Sequence, residues 1–229
     1  MDSLPKYIPL VFAFTALLSV WFVYNAANKS KTTLILLFLW LGFQAGVSLS
    51  GFYTVTDTLP PRFILMVAPP LLFILFLFIT KKGRTFLDTL DTKTLTLLHV
   101  VRVPVEFVLL WLFLYKAIPQ VMTFEGRNFD ILAGFSAPLV YYFGCVKAKL
   151  NRSQLIAWNL FCLGLLFNIV AHAALSVPSP LQQMSFDQPN IAILHFPFNW
   201  LPSTVVPLVL FSHLVCLRQL FLKKTNSAH

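Results

Sequence analysis

The sequence predicts an all-helical polytopic membrane protein: a bundle of seven transmembrane helices, amino terminus outside and carboxy terminus in the cytoplasm. Three observations carry that prediction. First, 58% of the 229 residues are hydrophobic and only 11% are charged, whereas a soluble domain averages about 25% charged residues. A chain this apolar is solvated by lipid. Second, seven apolar runs approach the roughly 20 residues that a helix needs to cross a bilayer: about 7–26, 33–53, 63–80, 95–117, 131–148, 154–176 and 200–221. Third, the basic residues alternate. Twelve of the 17 lysines and arginines fall in one set of loops: Lys29 and Lys31; Lys81, Lys82, Arg84 and Lys93; Lys147, Lys149 and Arg152; Arg218, Lys223 and Lys224. The opposite loops hold Lys6, Arg62, Lys116 and Arg127, and the positive-inside rule then sets the orientation.

The elements follow in order. "MDSLPKYIPLVFAFTALLSVWFVYNA" reads as the first span rather than a secretory signal, because its apolar run is too long and no small-residue cleavage site follows. Trp21, Tyr53 and Trp200 near span ends suit interfacial anchoring. The 81–94 loop, "KKGRTFLDTLDTK…", reads as a short surface helix on the cytoplasmic side. Of the outer loops, 119–130 ("PQVMTFEGRNFD") is the most polar stretch of the chain, and Arg127 there is expected to pair with Glu125, Asp130 or Asp187. The other, 178–199, has an apolar stretch from Ile191 to Phe198 that suggests a segment lying in the interface or folding back over the bundle. Residues 1–229 thus form a single transmembrane domain. Spans one to three and five to seven share an orientation, which permits a 3+1+3 plan.

Charge and cysteine content exclude several classes. The net charge of +9 sits in short loops between apolar runs, which argues against a nucleic-acid partner. Cys145, Cys162 and Cys216 fall within spans with no CxxC spacing, so they read as apolar packing residues. No Gly-rich phosphate loop and no GxSxG elbow is present. The last span offers His213 and Arg218 but no lysine for a retinal Schiff base.

The chemistry-bearing residues concentrate in the fourth span, "TLLHVVRVPVEFVLLWLFLYKA". His99, Arg102 and Glu106 are spaced i, i+3 and i+7, on one helical face. A charged side chain at the bilayer centre costs roughly 2.5–3.5 kcal/mol even on the lenient insertion scale, so this face is expected to point into the bundle. Arg102 and Glu106 are four apart and are expected to pair directly. Pro104 frees the carbonyl of Val100. A second group is expected in the outer half of the bundle: Gln44 and Ser48 on span two, Glu125, Arg127 and Asp130 before span five, Asn168 and His172 on span six, and His195 before span seven.

His172, His195, Glu125 and Asp130 are the ligand types a divalent metal uses, without HxxH or HExxH spacing. Two histidine pairs, His99/His213 and His172/His195, match the number of haem ligands in a b-type cytochrome, without the regular helical placement such proteins show. Either cofactor is weakly indicated. The functional expectation is a membrane-embedded enzyme acting on a lipid or other hydrophobic substrate in a multi-pass protein of the cell membrane. Glu106 is then the acid or base, Arg102 its electrostatic partner, and His99 or His172 the proton shuttle. Gln44, Asn168, Glu125, Arg127, Asp130 and His195 contact the substrate. The expected partners are membrane lipids and the substrate. Two alternatives are open. One is a small-solute transporter with proton coupling at Glu106. The other is a ligand-binding or sensory protein without catalysis.

Overall fold

A computed structural model describes residues 4–225, with side chains to residue 222; Lys223 and Lys224 of the basic tally lie outside the described side chains. The described chain is all-helical. Its helices are α1 (Tyr7–Ala26), α2 (Lys31–Leu49), α3 (Ile64–Ile79), α4 (Lys81–Thr89), α5 (Thr92–Leu98), α6 (Arg102–Leu114), α7 (Ile131–Val140), α8 (Arg152–Leu175) and α9 (Val206–Thr225). Five segments are long and apolar enough to cross a membrane: α1, α2, α5 running through α6, α8, and Leu201–Leu222. Counting α3 and α4 as one broken span adds a sixth.

The α3–α4 break is a 94° bend. Its cause is local: Thr80 takes extended backbone and its hydroxyl caps the next helix at Gly83 N–H, 3.1 Å away. α4 is the surface helix expected for 81–94. The fifth expected span, 131–148, is instead a ten-residue α7 that continues into a π-helical turn at Tyr141–Val146.

The four basic segments meet at one end of the bundle. Asp91 N–H donates to Ala26 O, Arg218 makes a two-pronged pair with Asp88 at 2.8 and 2.9 Å, and Arg152 Nε donates to Leu220 O. The opposite end is closed by returning chain. Residues Ala192, Ile193, Leu194 and Phe198 are buried there, and the N–H groups of Ile191 and Ala192 both donate to Ala117 O. The apolar 191–198 stretch therefore folds back over the bundle.

Prolines leave helical carbonyls without donors four residues earlier, and α2 supplies replacements. Pro69 frees Leu65 O, which accepts from Gln44 Nε2 at 3.3 Å. Pro207 frees Ser203 O, which accepts from the Trp40 indole at 2.8 Å. Asn199 Nδ2 and Trp200 Nε1 donate back to the α2 carbonyls of Gln44 and Leu41. Tyr53 is buried rather than interfacial: its hydroxyl donates to Gln44 Oε1 at 2.6 Å. Trp21 is exposed on the apolar outer surface.

Candidate functional site

The fourth span breaks where its polar residues begin. His99–Val101 is a short 3-10 turn between α5 and α6, just before the Pro104 that removes a helical donor. His99, Arg102 and Glu106 are all buried, at 0%, 2% and 1% exposure. The seven-residue separation corresponds to about 10 Å of helix rise, so the three form successive layers.

In the first layer, the His99 and His213 rings stack face to face, 3.8 Å between centroids at 14°, with Trp158 edge-on to His99. His213 Nδ1 lies 2.8 Å from Asn159 Oδ1. The amide oxygen is an acceptor, so Nδ1 carries the proton and Nε2 is left as a buried acceptor with no partner among the described residues. Rings in face-to-face contact are not two axial ligands of one haem, where the iron separates them.

In the second layer, Arg102 pairs with Asp130, Nε to Oδ2 at 2.9 Å, and its Nη2 donates to Cys162 O. The expected Arg102–Glu106 pair is not formed. Asp130 comes from a loop that sequence places outside, and three features bring it inward. Lys116 takes a left-handed conformation, and Ala117 N–H and Lys116 N–H close on Leu112 O and Phe113 O, reversing the chain after α6. The loop then re-enters the bundle, burying Met122, Thr123 and Asn128. Finally, Gly134 lets α7 lie against α6: a Cβ there would sit 2.7 Å from Val103 Cγ2 and 3.0 Å from its backbone nitrogen. Arg127 and Glu125 are exposed, and among the described residues Arg127 forms no ion pair with Glu125, Asp130 or Asp187. Asp130 is turned away from Arg127 because it pairs with Arg102.

In the third layer, Asn128 Nδ2 donates to Glu106 Oε1 at 2.5 Å and to Met122 O at 3.0 Å. Its Oδ1 accepts from Asp130 N–H. Asn128 thus ties the Glu106 carboxylate to the backbone of Asp130, and nothing in its spacing from Glu106 signals this. Glu106 Oε2 and Asp130 Oδ1 remain buried without a partner among the described residues.

Both carboxylates border a cavity of about 290 Å³. Its other walls are hydrocarbon. α8 contributes Leu166, Ile169, Val170, Ala173 and Ala174, a single helical face by their spacing, and α3 contributes Ile64, Val67, Ala68 and Leu71 in the same i, i+3, i+4, i+7 pattern. Ile64, Leu71 and Ala174 line the cavity and are also exposed on the outer surface. The cavity therefore opens sideways between α3 and α8, towards the apolar outer surface.

The remaining sequence candidates lie elsewhere. Gln44 braces α2 against α3 and Tyr53, and Ser48 donates to Leu194 O at the fold-back. Asn168 Nδ2 donates to Arg127 O, and His172 Nδ1 lies 2.8 Å from Asn168 O in its own helix. None of these four borders the cavity, nor does His195. Among the described residues no three His, Cys, Asp or Glu side chains are grouped to hold a metal ion. The set His172, His195, Glu125 and Asp130 is not assembled, since Asp130 is turned inward to Arg102 while Glu125 is exposed.

Fold and site together define a helical bundle with membrane-length apolar helices and a buried, carboxylate-bearing cavity. The chain belongs to the family described as a domain of unknown function (DUF8737), whose model matches residues 59–221. The matched stretch contains α3 to α8 and most of α9, and with them His99, Arg102, Glu106, Asn128, Asp130 and His213. No curated protein and no solved structure matches the chain.

Proposed function

We propose that this protein is a membrane-embedded enzyme that takes a hydrophobic substrate from the bilayer and exchanges a proton with it at Glu106. The observation that supports it most is the cavity's lining. Among the described residues its ionisable groups are Glu106 and Asp130 alone, each with a buried oxygen that has no partner there, and all else is apolar. Intramembrane ionisable groups are expensive, and a functional role is the default reading for them. Glu106 is the acid or base because Asp130 is occupied by Arg102; the Arg102–Asp130 pair fixes the local field and positions Asn128. The sideways opening between α3 and α8 suits a substrate that never leaves lipid.

The same reading places the protein in the cell membrane with seven crossings. On this reading α3 with α4 is one crossing, and α7 with its π-helical turn is a shortened fifth crossing beside the five membrane-length segments. The basic end is cytoplasmic by the positive-inside rule.

Incubation of the purified protein with a membrane lipid extract in D2O tests the enzymatic claim. The expected result is one class of hydrophobic molecule that changes mass or gains deuterium with the wild type and not with Glu106→Gln. If the wild type alters no species, catalysis is refuted and a binding role for the cavity is what stands.

A further inference from the structure

We infer that the polar end of the cavity's occupant is a cationic amine, so that the site takes a lipophilic amine rather than a fatty acid, a phospholipid headgroup or a neutral alcohol. This rests on the reading of the cavity as a site for hydrophobic molecules and narrows it to one chemical class.

The orphaned atoms make the first argument. Glu106 Oε2 and Asp130 Oδ1 are both carboxylate oxygens, and both residues line the same cavity. Ionised, both are acceptors only, so an occupant that satisfies them must donate. A hydroxyl has one hydrogen to give, whereas an ammonium has three and can donate to more than one acceptor.

Charge makes the second. Among the described residues no lysine, arginine or histidine lines the cavity. Arg102 stands behind Asp130, with its guanidinium directed to that carboxylate and to Cys162 O. The Arg102–Asp130 pair already balances itself, so ionising Glu106 places a negative charge among hydrocarbon with no counter-charge of its own. A cation restores the balance; an anionic head such as a carboxylate or phosphate adds a second unpaired charge in the same place. His99 and His213 do not change this count, because they stack on each other one layer away and do not reach the cavity wall. The third argument is the body of the site. α3 and α8 present aliphatic side chains and the Met66 thioether along about two helical turns each, with the opening at Ile64, Leu71 and Ala174. An alkyl or polycyclic body fits that surface and enters from the bilayer.

The test uses full-length protein in phosphatidylcholine nanodiscs with three probes of equal chain length: dodecylamine, dodecanol and dodecanoate. Retention is read by native mass spectrometry and by the thermal unfolding midpoint. The expected result is retention of dodecylamine with a raised midpoint, an at least tenfold weaker affinity in Glu106→Gln, and no retention of dodecanoate. Ala173→Trp, which fills the cavity and leaves both carboxylates in place, is the second variant, and it should lose the amine too. Equal retention in the wild type and Ala173→Trp would mean simple partition into lipid and would overturn the inference. Dodecanol bound as tightly as dodecylamine would overturn the cation while leaving the hydrophobic site intact. If no probe binds but the wild type carries a neutral or anionic hydrophobic molecule from its own membranes, the amine class is wrong and the site reading survives. If the cavity holds nothing in any preparation, both fail.

Discussion

Removing the charge of Asp130 and removing the charge of Glu106 should have very different costs, although the two carboxylates share a cavity. Asp130→Asn leaves the Arg102 guanidinium, 2% exposed, with its 2.9 Å partner neutralised. An uncompensated charge of this kind costs roughly 3–5 kcal/mol. At about 2–4 °C per kcal/mol for a domain of this size, the unfolding midpoint should fall by on the order of 10 °C. Glu106→Gln removes no ion pair. Asn128 Nδ2 can donate to a glutamine oxygen as it does to Glu106 Oε1, so the loss is one hydrogen bond's charge assistance, about 1 kcal/mol or less. The assay is thermal unfolding in detergent followed by tryptophan fluorescence, with Arg102→Met and the Arg102→Met/Asp130→Asn double variant completing a cycle. The reasoning predicts a coupling of at least about 2 kcal/mol between Arg102 and Asp130, since contacting charged partners do not add. Additive single effects within about 0.5 kcal/mol, or a Glu106→Gln loss as large as that of Asp130→Asn, would refute it.

Other outcomes follow from the same geometry. Trp40→Phe orphans the Ser203 carbonyl freed by Pro207 and should cost about 1–3 kcal/mol, measured as a midpoint shift; an unchanged midpoint would mean another donor replaces the indole. Gly134→Leu forces α7 away from Val103 and should reproduce the instability of Asp130→Asn, and adding it to Asp130→Asn should cost little more. Asp88→Ala breaks an exposed pair with Arg218 and should change stability by only about 0–1 kcal/mol, a clear contrast with the buried pair. In intact cells, a membrane-impermeant maleimide should label Ser185→Cys and Arg127→Cys from outside, and neither Lys82→Cys nor the buried Asn128→Cys. Labelling of Lys82→Cys from outside would reverse the orientation.

The helices were legible because hydropathy and length mark a helix in lipid directly. The inward face of His99, Arg102 and Glu106 was legible for a related reason: spacing fixes the face, and the energetics of charge in hydrocarbon fix where it points. The partners were not. Arg102 has Glu106 one turn away and pairs instead with Asp130, 28 positions on, because a left-handed Lys116 and a small Gly134 fold a polar loop into the bundle. Polar composition marks 119–130 as solvent-facing; the partners it finds inside the bundle, Arg102 for Asp130 and Glu106 for Asn128, make its burial favourable. That a proline frees a helical carbonyl is legible in sequence, but the donors that replace the lost bond are not: Gln44 and Trp40 serve the carbonyls that Pro69 and Pro207 release. Gln44 looked like a binding residue from sequence because an amide at bilayer depth needs a partner, and the partner is the helix backbone.

The central claim is that the volume beside Glu106 is a ligand site and not a packing defect. An experimental map of the protein in nanodiscs made from its own membranes tests this most directly. The account predicts an elongated density between α3 and α8 whose polar end lies at hydrogen-bond distance, about 2.7–3.2 Å, from Glu106 Oε2. A cavity closed by Leu71, Leu166 and Val170, with Glu106 turned to Arg102, would contradict it.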